Sequence, residues 1–185
     1  FEDLEAAAAS FREWQGWTDG RPPAHDTLRD LLVTEYGYDV DLGTLADHPE
    51  LNEFRTVYVD GASPTLVVNG DLMPIQQAFI FAREIGYCEL GIEERPRTSS
   101  GLRIESFDQL LNNFRESYFA GAVIMDRAAL LEDLETMFAE PTWAPERVRA
   151  CMDRYNATPE MLLYRLTELV LEHFGIDDFF FLRFY

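Results

Sequence analysis

Apolar positions recur at helical spacing through most of the chain. In residues 2–15, Leu4, Ala7, Ala8, Phe11 and Trp14 fall on one face with Glu2, Asp3, Glu5 and Glu13 among them, the spacing of an amphipathic helix. Asp19-Gly20-Arg21-Pro22-Pro23 breaks that pattern, so residues 1–24 are expected to form a helix and linker ahead of a body at 25–185. Leu28, Leu31, Leu32 and Tyr36 line a second helix, with Asp26 as its expected N-cap and Gly37 as its stop. Two β-branched runs, Thr56-Val57-Tyr58-Val59 and Thr65-Leu66-Val67-Val68, flank the turn-rich Asp60-Gly61-Ala62-Ser63-Pro64, which predicts an antiparallel hairpin.

The helical spacing then returns. Pro74 suits a first helical turn, and Ile75, Ala78, Phe79, Ala82 and Ile85 follow on one face toward Gly91. Residues 92–105 are charged and aperiodic, which predicts a loop. Ser106 with Gln109 has capping-box spacing and opens a stripe of Phe107, Leu110, Leu111, Phe114 and Ala122. Asp126, Ala144-Pro145 and Thr158-Pro159 mark three further helix starts, the last leading to Leu162, Leu163, Leu166, Leu169 and Val170 and a stop near Gly175. The aromatic tail 179–184 reads as a strand. The expected class is α+β, a helix-rich domain with a small antiparallel sheet.

Composition narrows the function classes. With 47% hydrophobic and 14% aromatic residues, 185 residues are enough to fold around a core. There are 34 acids against 15 bases, and all of the bases are arginine, giving a net charge of −19. Such a surface repels a polyphosphate, so this chain is not expected to touch DNA itself. The absence of lysine fits either a GC-rich genome or adaptation to salt. Cys88 and Cys151 lack any paired spacing, no apolar run approaches the roughly 20 residues of a membrane span, and a cytoplasmic location is expected. A chain beginning at Phe1 is expected to be a piece of something longer.

One constellation carries chemistry. Arg83 and Tyr87 stand four residues apart on the helix 74–90, with Glu84 next to Arg83. Zinc peptidases place two histidines at those offsets, with a glutamate beside the first acting as general base. Arginine and tyrosine hold the histidine positions here. A solvated helix face accounts equally for Arg83 and Glu84, and Tyr87 fits a core aromatic. Asn112 and Asn113 either interrupt their helix or serve a local hydrogen-bonding task. The loop Arg95-Pro96-Arg97-Thr98-Ser99-Ser100-Gly101 is a plain connector or a phosphate grip. His25, His48 and His173 lack metal spacing, and nucleotide-binding glycine loops and Ser or Cys nucleophile signatures are absent.

The segments FAREIGYCELG and NNFRESYFAGAVIM, with the strand-turn-strand before them, resemble the ImmA/IrrE-like domain, a zincin-related module that often follows an XRE-type helix-turn-helix. The resemblance is best over residues 54–125 and extends over about 26–185. It aligns the first segment with the family's HELGH helix and the second with its E-x-x-A-x-x-FAA-x-LLMP helix, so that Asn113 stands at the third zinc ligand, a glutamate. Of the peptidase set, Glu84 alone survives. REIGY, SFDQLLNNFRESYFAGA and FFLRF resemble the branch of XRE regulators associated with short-chain fatty-acyl metabolism.

The resemblance implies a zincin-like domain that has lost its metal and its catalysis: no metal, no cofactor, and a cleft that senses a small acyl or acidic metabolite of the acyl-CoA type. Arg83, Glu84, Tyr87, Asn113 and Arg97 are the expected ligand-binding residues, with Arg83 turned into the former metal cleft and paired there. DNA would be reached through a helix-turn-helix outside this chain, and a homodimer is expected, with Phe11, Trp14 and Trp17 of the N-terminal helix available to pack between subunits. Competing readings are a zinc metallopeptidase with substitute ligands and a protein-interaction module without a small effector.

Overall fold

The computed structural model describes residues 1–51, 53–98, 106–142, 144–176 and 181–182. The chain divides into two compact units, one formed by residues 23–120 and the other by residues 1–22 with 121–185.

The unit 23–120 contains α1 of the site-bearing half, helix His25–Thr34, followed by three strands, β1 (Asp39–Asp41), β2 (Thr56–Val59) and β3 (Thr65–Val68), and by α2 (Pro74–Glu89). The predicted hairpin is present, with β2 antiparallel to β3 in the register Thr56 to Val68 and Val59 to Thr65. Beyond the expectation, β1 pairs with the other edge of β3 in parallel, Asp39 opposite Thr65. The order is β1-β3-β2, so the sheet is mixed and not wholly antiparallel. Leu66 and Val68 of the central strand are fully buried, as strand alternation requires.

Helix α1 packs on α2 and buries Leu28 and Leu32. Its N-cap is Ala24, not Asp26; Asp26 lies in the first turn and pairs with Arg29 at 2.9 Å. In α2 the buried face is broader than one stripe. It takes in Ala78, Phe81, Ala82 and Ile85, and also Gln77, Glu84 and Tyr87, whereas Ile75 and Phe79 of the expected stripe are half-buried. A helix enclosed on most of its circumference must bury some polar side chains, and those it buries build the site.

Helix α3 (Phe107–Ile124) opens at Ser106, whose hydroxyl accepts the Gln109 N–H at 3.0 Å. A Cβ on Gly86 would lie 3.0 Å from the Phe119 ring and 3.3 Å from the Glu116 carbonyl. Glycine thus lets α2 and α3 approach closely at that level, which brings side chains one turn earlier on each helix face to face. Residues of α3 through Ala120 belong to this unit and those from Gly121 to the other.

The second unit holds α4 (Glu2–Trp14), the end of α3, α5 (Arg127–Phe138), α6 (Pro145–Arg154) and α7 (Pro159–Phe174). The expected caps are in place: Asp126 accepts from Ala129 N–H at 3.0 Å and Thr158 from Met161 N–H at 3.2 Å. Its apolar core includes Leu4, Ala8, Phe11, Val123, Leu130, Leu134, Leu162 and Leu169. Phe11, expected to be available between subunits, is buried against its own unit while Trp14 is exposed. The reason is spacing: Leu4, Ala8 and Phe11 lie on one helical face, and that apolar stripe is the one the helix buries in its own unit.

The predicted strand at 179–184 and the segment 99–105 of the predicted loop lie outside the described residues, apart from Phe181 and Leu182, which are not in a strand.

Candidate functional site

Three side chains of α2, two of α3, one of β2 and the segment 92–98 converge within the unit 23–120. Arg83 points from α2 to α3, where its Nε donates to Glu116 Oε2 at 2.6 Å and its Nη2 donates both to Glu116 Oε1 and, at 2.9 Å, to Asn113 Oδ1. Glu116 is completely buried and also accepts from the Ser117 hydroxyl at 3.0 Å. Burial opposes the charge of Arg83, yet the Glu116 carboxylate more than offsets it and holds the guanidinium above its ordinary pKa. This is a two-point fork with both carboxylate oxygens used, the strong form of the interaction.

A second pair lies beside it. Arg95 donates from Nη2 to Glu84 Oε1 at 2.5 Å, and both side chains are more than nine-tenths buried. The Arg95 guanidinium carbon lies 3.9 Å from the ring centre of Tyr58 and 3.9 Å from that of Tyr87, within cation–π range of both. Its Nη1 makes a long contact with the Tyr38 hydroxyl at 3.5 Å. Unlike the first pair, this one is incomplete: Glu84 Oε2, Arg95 Nε and the Tyr87 hydroxyl are buried without a hydrogen-bond partner. Burial pushes the Tyr87 and Tyr38 hydroxyls well above the ordinary tyrosine range, so both stay protonated and able to donate.

The space between these groups is a cavity of about 20 Å³ bordered by Tyr58, Glu84, Tyr87 and Arg95, room for one water-sized group. The segment over it is tied down on both sides of Arg95: Asn112 donates to the Glu94 carbonyl at 2.9 Å, and Tyr58 N–H donates to the Arg97 carbonyl at 2.8 Å.

Arg83, Glu84, Tyr87 and Asn113 are therefore brought together. Arg83 faces α3 and not bulk solvent, and of the two readings of the adjacent asparagines the hydrogen-bonding task holds for both. Arg97 contributes its carbonyl to β2, and its exposed side chain borders the same cleft. Sequence reasoning missed Glu116, although it follows Asn113 by one helical turn, and Tyr38 and Tyr58. Arg95, within a loop whose composition fits a connector or a phosphate grip, is instead part of the site, with its side chain buried.

The model of the peptidase M78 family, described as the IrrE N-terminal-like domain, matches residues 40–167, which takes in the sheet, α2, the cleft and α3. This chain belongs to the IrrE N-terminal-like family. No curated protein matches it. Among solved structures, a Mycobacterium tuberculosis transcriptional regulator is similar with a TM-score of 0.61 at 20% identity, over 90% of this chain and 47% of that one. The likeness establishes a shared fold, and the present chain spans about half the length of that regulator.

Membership in an IrrE N-terminal-like peptidase family raises zinc, and the residues present do not fit it. Zinc takes deprotonated nitrogen, sulfur or oxygen donors. At the positions that the resemblance aligns with the two histidines, Arg83 offers a permanent cation without a lone pair, and Tyr87 a hydroxyl held protonated by burial. At the third position the Asn113 oxygen already accepts from Arg83. Among the described residues no group of three His, Cys, Asp or Glu side chains is arranged to hold a metal ion. Glu84, the one retained residue of the peptidase set, is the partner of Arg95.

Proposed function

We propose that this chain is the ligand-sensing, non-catalytic part of a bacterial transcriptional regulator of the XRE type, and that residues 25–185 form an effector domain whose cleft takes a small acyl or acidic metabolite of the acyl-CoA kind. The observation that carries the reading is the set of buried, unpartnered polar atoms at Glu84, Tyr87 and Arg95 in a cleft whose metal positions are filled. A buried donor without a partner costs about 1–3 kcal/mol, and a ligand oxygen accepting from Arg95 Nε and the Tyr87 hydroxyl removes that cost. Arg83, Asn113 and Arg97 border or brace the same cleft.

A cavity of about 20 Å³ is far smaller than an acyl-CoA, so binding requires rearrangement. That is what a sensor needs, since a ligand switches a protein only by preferring one of two conformations. The net charge of −19 supports a reading in which DNA is contacted through a helix-turn-helix outside these residues, in a cytoplasmic homodimer. No helix among the described residues is long and apolar enough to cross a membrane.

A protein-interaction role has one observation in its favour: Phe107, Leu110, Leu111 and Phe114 of α3 are exposed at helical spacing. A thermal-shift comparison of butyryl-CoA, butyrate and short unstructured peptides separates the readings. The CoA ester is expected to stabilise the protein by about 2.7 kcal/mol at a hundred times its dissociation constant. Stabilisation by peptides with none from the acyl compounds would replace the sensor by an interaction module.

A further inference from the structure

Three arginines border the cleft, Arg83, Arg95 and Arg97, and the resemblance names Arg83 and Arg97 among the expected ligand-binding residues. The geometry points to Arg95 instead: we propose that Arg95 takes the acidic or phosphoryl group of the ligand, and that Glu84 is its resting counter-ion, displaced when the ligand enters. This rests on the reading of the cleft as an acidic-ligand site.

The two pairs differ in how completely they use the same chemistry. A guanidinium edge presents Nε–H and one Nη–H side by side, matched to the two oxygens of a carboxylate or phosphate. Arg83 has that edge filled by Glu116, and Asn113 occupies its Nη2 as well. Both of its partners sit on α3, so an entering anion would have to evict a fully buried carboxylate from a completed fork.

Arg95 spends only Nη2 on Glu84, at 2.5 Å. Its Nε and the second oxygen of Glu84 both lie buried without a partner, so the fork is half made. An incoming anion that accepts from Nε and Nη2 together makes the two-point contact that Glu84 does not. The Tyr87 hydroxyl, also unpartnered, is a further donor on a residue that lines the same cavity. Arg95 lies on the aperiodic segment 92–98, whose main chain is anchored at Glu94 and Arg97. Its side chain can thus exchange partners while that backbone stays in place. Tyr58 and Tyr87 flank the guanidinium and keep it in the cleft during the exchange, because cation–π attraction does not depend on which anion is bound.

Displacement makes a prediction that a structural role for Glu84 does not. Removing the charge of Glu84 removes the competitor. The test is calorimetric titration of the whole chain with butyryl-CoA, CoA, butyrate and inorganic pyrophosphate, using wild type, Arg95→Met and Glu84→Gln, each checked for fold by circular dichroism. Arg95→Met is expected to weaken the ligand by at least about tenfold. Glu84→Gln, isosteric although it leaves Arg95 without its resting counter-ion, is expected to tighten it severalfold in the folded protein. Wild-type affinity in Arg95→Met, or unchanged or weaker binding in Glu84→Gln, overturns the assignment while leaving the sensor reading standing. Failure of all four probes to bind wild type overturns the acidic-ligand reading itself, and the assignment falls with it.

Discussion

Buried arginine–carboxylate chemistry occurs in both units of this chain, and in the unit 23–120 part of it, the Arg95–Glu84 pair, is left incomplete. In the unit formed by 1–22 and 121–185, Arg165 is wholly enclosed and donates to both oxygens of Glu5, at 2.5 and 3.0 Å, to Glu168 at 3.1 Å and to the Met125 carbonyl at 3.4 Å. Arg12 donates to the Val123 carbonyl at 2.6 Å and to the Arg21 carbonyl at 3.1 Å, with Asp126 at 3.6 Å. These two guanidinium groups sit where carbonyls at the end of α3 lack helical partners and where the helix dipole favours a positive charge. Among the described residues, the buried side-chain atoms left without a partner belong to Glu84, Tyr87 and Arg95, all in the cleft. The completed network is scaffold. The incomplete one has bonding capacity left for a ligand, and the difference lies in satisfaction rather than in residue type.

The sharpest way to break this comparison is to remove one arginine from each region. Arg165→Met leaves Glu5 and Glu168 facing each other in the interior, and a loss of about 3–5 kcal/mol is expected on urea unfolding. Arg83→Met strands Glu116, but Arg83 is 23% exposed and water can reach its place, so a smaller loss of about 2–3 kcal/mol is expected. A larger loss at Arg83 than at Arg165 would make the cleft pair the principal scaffold and reverse the assignment of roles.

A smaller effect follows from pH. Burial, opposed by Arg165, pushes the Glu168 carboxyl up to about 7 from an ordinary value of 4.5. The folded state therefore binds this proton more tightly than the unfolded chain. The resulting stabilisation is complete below the unfolded value and is lost as pH rises through the folded one. Between about pH 5 and about pH 8 the Glu168 contribution should fall by about 1–2 kcal/mol. Glu168→Gln should lose that increment when the two unfolding curves are compared. An identical pH dependence in wild type and variant would show that Glu168 stays ionised against Arg165.

The boundaries of helices and the hairpin were legible because local chemistry sets them. Ser106, Asp126 and Thr158 cap where their hydroxyls and carboxylate reach free N–H groups, and β2 and β3 are β-branched runs around a turn. Strand β1 was not legible: Asp39-Val40-Asp41 is short and acidic, and its parallel pairing with β3 is a non-local contact that leaves no periodicity. The burial of Glu5, Arg12 and Arg165 was not legible either, because a one-dimensional pattern does not reveal that each meets a buried partner.

The same limit applied at the site. Arg83, Glu84, Tyr87 and Asn113 were found through the spacing of a zincin motif and its resemblance to a known family. Glu116 and Arg95, which decide how the cleft is charged, stand at positions no zinc motif marks. Arg97, grouped with Arg95 from its loop composition, has an exposed side chain, and the carbonyl it lends to β2 could not be read from its side-chain chemistry.

The sensor reading requires a cleft that does not hold zinc. Equilibrium dialysis of the purified chain against micromolar zinc, followed by elemental analysis, measures it. A substoichiometric zinc content is the expected result, because Arg83 brings a cation and no lone pair to the position aligned with the first histidine. One tightly bound zinc per chain would return the cleft to metallopeptidase chemistry.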